Sequence, residues 1–554
     1  MEHSNHKQTG MLKNAAILFI AMAITKLIGA ALKIPLTNIL GGLGMGYFSI
    51  AYSLFSPIYA ATAAALPTVI MRMVARNVTS GDFMYIRQVR RAGLFAALGL
   101  GTAGTIAILV ISFPFSQYIA DSPAALPAML VIAPSLLFSS ISAVYRGYFE
   151  GISDMFPTAI SQIIEAVVKS TVGIVLATMV LIEYGETALP YAAAAAIAGI
   201  TAGEMFGLGF LYLRAKFGKD KITAPASIPR TTHSQIPPER KRKIIKTIMS
   251  ESMPITLAAI ALNLNPFIDL MTIPTVINAT IINNKAFFLQ NFTYGIHGGE
   301  SISDIGNFIY GSYTGIAIPI FAIATTITAM LGKSAFPEIA SAWESNSRQR
   351  LARTLRVLFK GTFMVGFPLC FGLASLARPI LSLLYFSKPA EVLVSTPPLF
   401  VLSLGGISII LAGTLFSIFL AIGRVDLQIK LILAGAAIKL GLNLALIRIP
   451  SINVTGAAIS TVVSYTLVSI IGLFMLKRIV KTPLGIMRFA LQPLAFSILC
   501  GFTAYVCNNY AFVERPAILN LAMSVAAGAL AYLLPTMFTD RKYLKHFLPA
   551  KRLN

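Results

Sequence analysis

Pro157-Thr-Ala-Ile-Ser-Gln-Ile-Ile-Glu165-Ala-Val-Val-Lys169-Ser-Thr-Val-Gly-Ile-Val-Leu-Ala-Thr-Met-Val-Leu-Ile182 is an almost continuous apolar run that holds one acid and one base. A helix needs about 20 such residues to cross the hydrocarbon core of a bilayer. The stretch is therefore read as a membrane span carrying two charges. Windows of the same kind fall at 13–36, 47–71, 92–114, 125–145, 190–213, 249–275, 309–332, 355–376, 394–418, 427–447, 455–476, 487–506 and 516–536. With 157–182 they make about fourteen transmembrane helices, an all-α polytopic membrane protein. The first window has Lys26 inside it and is too long for the core of a cleaved signal. It is read as an uncleaved span.

Composition points the same way. Of the 554 residues 56% are hydrophobic and 12% charged, with a mean hydropathy of +0.77. Soluble domains carry about 25% charged residues, and disordered chains combine high charge with low hydrophobicity. Neither class fits. The net charge of +23 raises nucleic-acid binding as a second reading. If both termini are cytoplasmic, however, 35 of the 44 Lys and Arg lie in cytoplasmic segments or at their span ends. Only five (Lys285, Arg378, Lys388, Arg448, Arg515) are external. This is the positive-inside pattern, and it leaves no concentrated basic patch for nucleic acid.

One cytoplasmic segment differs from the rest. Residues 214–247 open with Arg214-Ala-Lys216, pass through Ala224-Pro-Ala-Ser-Ile-Pro-Arg-Thr-Thr-His-Ser-Gln-Ile-Pro-Pro238 and then carry Arg240-Lys-Arg-Lys243. That composition reads as a flexible linker whose basic ends suit anionic lipid headgroups. The expected organisation is an N-terminal lobe at 1–213, the linker at 214–247 and a C-terminal lobe at 248–476. Two further helices and a basic tail occupy 477–554.

The two lobes read as a duplication. A shift of 270 residues carries Ala65-Leu66-Pro67-Thr68-Val69 onto Ala335-Phe336-Pro337-Glu338-Ile339. The same shift carries Phe149 onto Phe419, Ile152 onto Ile422 and Lys169 onto Lys439. Identities are few, but a helix-end proline and an intramembrane lysine are both uncommon. Six-helix repeats of like orientation imply a substrate site exposed alternately to each side.

Charges inside spans cost roughly 2.5–3.5 kcal/mol on insertion scales and so face protein or a polar cavity. Seven stand out: Lys26, Lys33, Glu165, Lys169, Glu204, Asp269 and Lys439. Lys26 falls near the middle of the first span, and Lys33 is near its outer end, where snorkelling competes with function. Glu165 and Lys169 have the i, i+4 spacing of an intrahelical ion pair, so a structural pair and a substrate contact both stand. Lys439 has no acid on its own helix to neutralise it, which favours a cavity. Asp269 lies between Pro266 and Pro274, where a broken helix would open a polar site. Glu204, beside Gly203 and Gly207, suits a pair with a lysine across a close helix contact. Four bases against three acids suit an anionic head group such as a pyrophosphate better than a cationic drug.

Other chemistries find little support. Cys370, Cys500 and Cys507 form no Cys-x-x-Cys pair, and His3, His6, His233, His297 and His546 all lie outside spans, so neither zinc nor haem is expected. Gly332-Lys333-Ser334 resembles the end of a Walker motif, but Ile327 stands where its first glycine belongs. The external loop at 276–308 holds His297, Glu300 and Asp304 without paired spacing, so no enzyme and no cofactor are expected.

Several stretches resemble a known family. Glu150-Gly-Ile-Ser-Asp-Met-Phe-Pro157 through Gln162, Glu165 and Lys169 is similar to the helix 4–5 junction of polysaccharide exporters. Lys26-Leu-Ile-Gly29 through Lys33-Ile-Pro-Leu-Thr, with Leu40-Gly41 and Gly44-Met-Gly46-Tyr47, resembles the first helix and turn of the stage V sporulation protein B and lipid II flippase group. Lys439-Leu-Gly-Leu-Asn443 and Gly456-Ala-Ala-Ile-Ser-Thr461-Val-Val-Ser-Tyr465 resemble its carboxy-terminal signature. The resemblance implies the MOP (MATE-like) superfamily fold in a bacterial cell membrane. It also implies flipping of an undecaprenyl-pyrophosphate-linked saccharide, most simply a peptidoglycan precursor such as lipid II, from the inner to the outer leaflet. Lys26 and Lys33 match in character the basic residues thought to meet the pyrophosphate, and Asn443 joins Glu204 as a coupling or structural candidate. The group's better-known Gram-negative branch has closely spaced arginines and an acid after the glycine turn, where this chain has lysines seven apart and reads Gly46-Tyr47. A sporulation or capsule polysaccharide exporter, a cation-coupled multidrug or metabolite antiporter, and a scaffold among cell-wall assembly proteins are the competing readings.

Overall fold

The computed structural model describes the backbone of residues 2–80, 82–217, 238–284, 287–288, 302–481 and 485–539, with all side chains of these except 2–28, 30–32, 79–80, 238–240 and 302–303. Every regular element among them is helical. In lipid the backbone must satisfy its own hydrogen bonds, and a helix does so within one segment.

Packing divides the chain into two compact units, Met1–Thr275 with Ser301–Gly311 and Val276–Glu300 with Ser312–Asn554. The first contains α1 (Glu2–Thr62), α2 (Leu66–Ser80), α3 (Phe83–Pro114), α4 (Leu126–Ile132), α5 (Ser135–Gly151), α6 (Phe156–Tyr184) and α7 (Leu189–Phe217). It also takes most of α8 (Pro238–Asn283) and nearly all of α9 (Ile302–Ser312). The second is built from α10 (Ile318–Glu344), α11 (Arg348–Ser375), α12 (Ala377–Leu384), α13 (Pro389–Leu404), α14 (Gly406–Ala421), α15 (Val425–Leu446), α16 (Thr455–Val480), α17 (Ile486–Val506) and α18 (Ala517–Thr539).

Local chemistry explains where helices bend and start. At Gly41 the backbone of α1 leaves helical geometry with φ 64° and ψ −173°. A side chain would be strained there, and the glycine turn read in Leu40-Gly41 is this kink. Asp82 caps α3 by accepting the Tyr85 N–H at 2.9 Å. In the first unit, Leu66, Val69, Ile70, Val74, Val89, Val144 and Phe149 close a buried apolar cluster with Ile244 and Ile248 of α8.

Twelve helices among the described residues are long and apolar enough to span a membrane. The pair α13–α14, bent by 55°, brings the number to as many as thirteen. Each of the thirteen expected windows from 47–71 onward coincides with one of them. The fourteenth, 13–36, falls mostly on residues whose side chains lie outside those described. One further expectation needs correcting. Pro266 and Pro274 do not break their helix, because α8 runs from Pro238 to Asn283 through both and through Pro254 as well. Membrane helices tolerate proline where neighbouring groups satisfy the freed carbonyl. The linker expected at 214–247 lies, over 218–237, outside the described residues.

Candidate functional site

The site grows from the contact between α6 and α7, the most extensive helix pairing in the molecule. Gly199, Gly203 and Gly207 recur every fourth residue and so share one face of α7. A β-carbon on Gly199 would stand 2.3 Å from the Lys169 carbonyl oxygen, and one on Gly203 would stand 2.7 Å from that of Glu165. Only glycine permits this approach, which is the small-residue packing typical of membrane helices. The same register brings Glu204, beside Gly203, against the charged turn of α6.

Glu165 does not pair with Lys169. Arg146, near the end of α5, donates from Nη2 to Glu165 Oε2 at 2.7 Å, and the two side chains are 13% and 24% exposed. A planar guanidinium matches a carboxylate better than an ammonium does, and in partly buried surroundings such charge-assisted bonds are the strong ones. Lys169 is half-buried and sits with Nζ 5.7 Å from the centroid of the Tyr52 ring of α1, in cation–π range. Glu204 is 7% exposed, its Oε2 has no hydrogen-bond partner, and Arg146, Glu165 and Lys169 all act on it electrostatically. Tyr59 of α1 lies in the same field.

Lys33, Tyr52, Glu165, Lys169 and Ser170 line one cavity of about 310 Å³ in the first unit, floored by Gly173 and Ala196. Lys33 and Lys169 are near enough to repel one another. Lys169 over the Tyr52 ring and Lys33 in the same cavity wall, with Glu165 paired to Arg146, give a chemistry suited to an anion. The cavity's volume of about 310 Å³ is at the lower end of ligand pockets and has room for a phosphate or pyrophosphate group.

The other residues singled out from sequence are distributed as follows. Lys26 is on α1, seven residues before Lys33, and its side chain lies outside the described residues. Asp269 is 4% exposed in the first unit, within the field of Tyr310, whose hydroxyl is 3.3 Å from Ser53 Oγ. Lys439, in the second unit, is 2% exposed, and Asn443 one turn on accepts a hydrogen bond from the Ser460 hydroxyl of α16. Of the external-loop residues, Asp304 accepts from the Tyr47 hydroxyl at 2.8 Å, while His297 and Glu300 lie outside the described residues. Among the described residues no group of three or more His, Cys, Asp or Glu side chains is placed to hold a metal ion.

Arg146 was not visible as a site residue from sequence, because the apolar window 125–145 ends one position before it. Tyr52 was hidden among the aromatics of its span. Lys360 and Glu391, which no sequence motif singled out, are 8% and 7% exposed.

Known proteins share both the sequence and the fold. Stage V sporulation protein B of Bacillus subtilis (strain 168) is 26% identical over 534 residues, covering 95% of each chain. Lipid II flippase MurJ of the same organism is 22% identical over 554 residues, covering 94% of each. A solved lipid II flippase MurJ in an inward closed conformation superposes with a TM-score of 0.67 over 96% of this chain and 100% of that one, at 14% identity. An inward-facing multidrug resistance MATE family transporter of the MOP superfamily gives 0.56 over 85% and 99%, also at 14% identity. The fold is therefore the MurJ and MATE fold. A family model described as lipid II flippase MurJ matches residues 312–520. The model described as polysaccharide biosynthesis protein matches residues 11–343, a stretch that holds the whole lysine cavity and its Arg146–Glu165 support, and the chain belongs to that family.

Proposed function

We propose that this membrane protein is a transporter, and not an enzyme, which moves a lipid-linked saccharide from the inner to the outer leaflet by alternating access. The cargo class is an undecaprenyl-pyrophosphate-linked saccharide, with a peptidoglycan precursor such as lipid II as the first candidate. The observation that carries this reading is the convergence of Lys33 and Lys169 on one small cavity over Tyr52. That cavity offers charge and room for a pyrophosphate, the one group every such cargo shares. Lys26, seven residues before Lys33 on α1, is kept as a further candidate contact to the cargo. The names of the sporulation and lipid II relatives support the same class.

In this reading the lobes 1–213 and 248–476 work as a pair, the linker 214–247 and the helices of 477–554 flank them, and both termini are cytoplasmic. Basic cytoplasmic segments rest on anionic lipid. The Walker-like string at Gly332-Lys333-Ser334 lacks its first glycine, and the driving force in this reading is the membrane potential or an ion gradient. The test is outward movement of a fluorescent lipid-linked precursor in proteoliposomes, comparing the unaltered protein with Lys33→Ala and Lys169→Ala. No movement by the unaltered protein, or full movement by both variants, rules the proposal out.

A cation-coupled antiporter on the same fold is the second reading. It is favoured by the buried Glu204 carboxylate and the MATE likeness. It requires Glu204→Gln or Asp269→Asn, and not Lys169→Ala, to abolish transport, with drug efflux as the measured activity.

A further inference from the structure

An acid one turn before a lysine on the same helix is the favourable order for an intrahelical ion pair. Nothing in the α6 backbone prevents Glu165 and Lys169 from closing on each other. In the structure they do not: the Glu165 carboxylate is taken by Arg146 at 2.7 Å, and the Lys169 ammonium is over Tyr52 in the cavity wall. Lys169 makes no ion pair among the described residues, while Glu165 lines the same cavity. The groups acting on this turn come from four helices: Tyr52 and Lys33 from α1, Arg146 from α5, Glu165 from α6 and Glu204 from α7. Of these, Arg146 is the cation paired with Glu165, and Glu204 also makes a side-chain hydrogen bond to that acid.

We propose that Arg146 is a positioning residue: by holding Glu165 it keeps Lys169 from closing onto its neighbouring acid and leaves the lysine available to an anion in the cavity. The guanidinium wins because it is planar, always charged and already buried beside the acid. Removing it returns Glu165 to Lys169, and the cavity then presents a closed ion pair beside Lys33 in place of two cations. Arg146 itself touches no cargo; it acts only through Glu165. The link to cargo rests on the pyrophosphate reading above, whereas the positioning claim does not.

The experiment uses the full chain with its lysines reductively methylated with ¹³C, the Lys169 signal being assigned by its loss in Lys169→Arg. In Arg146→Gln the Lys169 resonance is expected to shift, and in Arg146→Gln/Glu165→Gln it is expected to return to its original position. An unmoved resonance in the single variant overturns the proposal. So does a shift that the second substitution fails to reverse. Folding of each variant is checked by its thermal transition, with Arg146→Lys as the variant that keeps the charge if Arg146→Gln does not fold.

The transport arm follows the same logic in proteoliposomes. Arg146→Gln is expected to slow export about tenfold or more, the scale of losing a charge-assisted contact, and the double variant to recover most of it. If the resonances behave as expected but no variant affects transport, the positioning holds and the cargo reading fails. If export stays low in the double variant, Arg146 acts on transport by a route other than Glu165, and the positioning role is overturned.

Discussion

Lys169 and Lys439 are 270 residues apart, on the helices α6 and α15 of two different compact units, and their settings differ. Lys169 has an acid one turn before it, a buried arginine holding that acid, an aromatic ring beneath it and a cavity in front. Lys439 has Gly435 at the position of Glu165 and Asn443 at that of Gly173, and it is almost wholly buried. The partner helices differ too. In α7 three glycines bring the backbone of α6 close, while α16 meets α15 through Gly456 against Leu446 and the Ser460–Asn443 hydrogen bond. A lysine inside a membrane span is thus not one kind of object. The neighbours decide whether its charge lines a cavity or is buried within its own unit.

The largest effect is expected where the contrast is steric. Gly203→Leu would drive a side chain into the Glu165 carbonyl, at an overpacking cost of about 1–3 kcal/mol or more, and should abolish the monodisperse folded peak in detergent. Gly209→Ala on the same helix, where a β-carbon meets open space, should leave that peak intact. Next, Lys169→Met should reduce export roughly tenfold or more with little change in the thermal transition. Lys439→Met should do the reverse, altering thermal stability more than export. Equal losses of export from both would erase the distinction between the two lysines.

A smaller change is expected from Asn443→Ala. The Ser460 hydroxyl keeps contacts to the Gly456 and Ala457 carbonyls, so the loss should be about 1 kcal/mol, a few degrees in a thermal scan. Least affected should be Asp426→Asn. Its pair with Arg424, 3.0 Å long at the start of α15, is solvent-exposed, and such pairs contribute little. The transition temperature should not move measurably, in contrast to Arg146→Gln, where the same type of pair is partly buried.

Much of the fold was legible because lipid imposes a length. The stretch 157–182 reads as a span from its apolar residues alone, and α6 covers it. The turn at Leu40-Gly41 was legible through the family resemblance, and the backbone angles at Gly41 explain why a glycine stands there. The prolines of α8 misled, since a proline in water ends a helix and one packed in a membrane need not. At the site, spacing along the chain reports only intrahelical neighbours. It offered Lys169 as the partner of Glu165, whereas the partner came from nineteen residues earlier on another helix. The lysines were found because charge in a span is rare. Arg146 was missed because it stands just past one.

The glycine face of α7 also bears on how the protein is made. Helices α6 and α7 follow one another directly in the chain, so their docking needs no distant segment and can occur as soon as α7 leaves the insertion machinery. By then α5 with Arg146 has already been synthesised. Glu204, which alone would cost roughly 2.5–3.5 kcal/mol at mid-bilayer, would therefore enter the membrane with its arginine, its lysine and a close-fitting neighbour already present. Assembly order, as much as final packing, would spare this carboxylate any exposure to lipid.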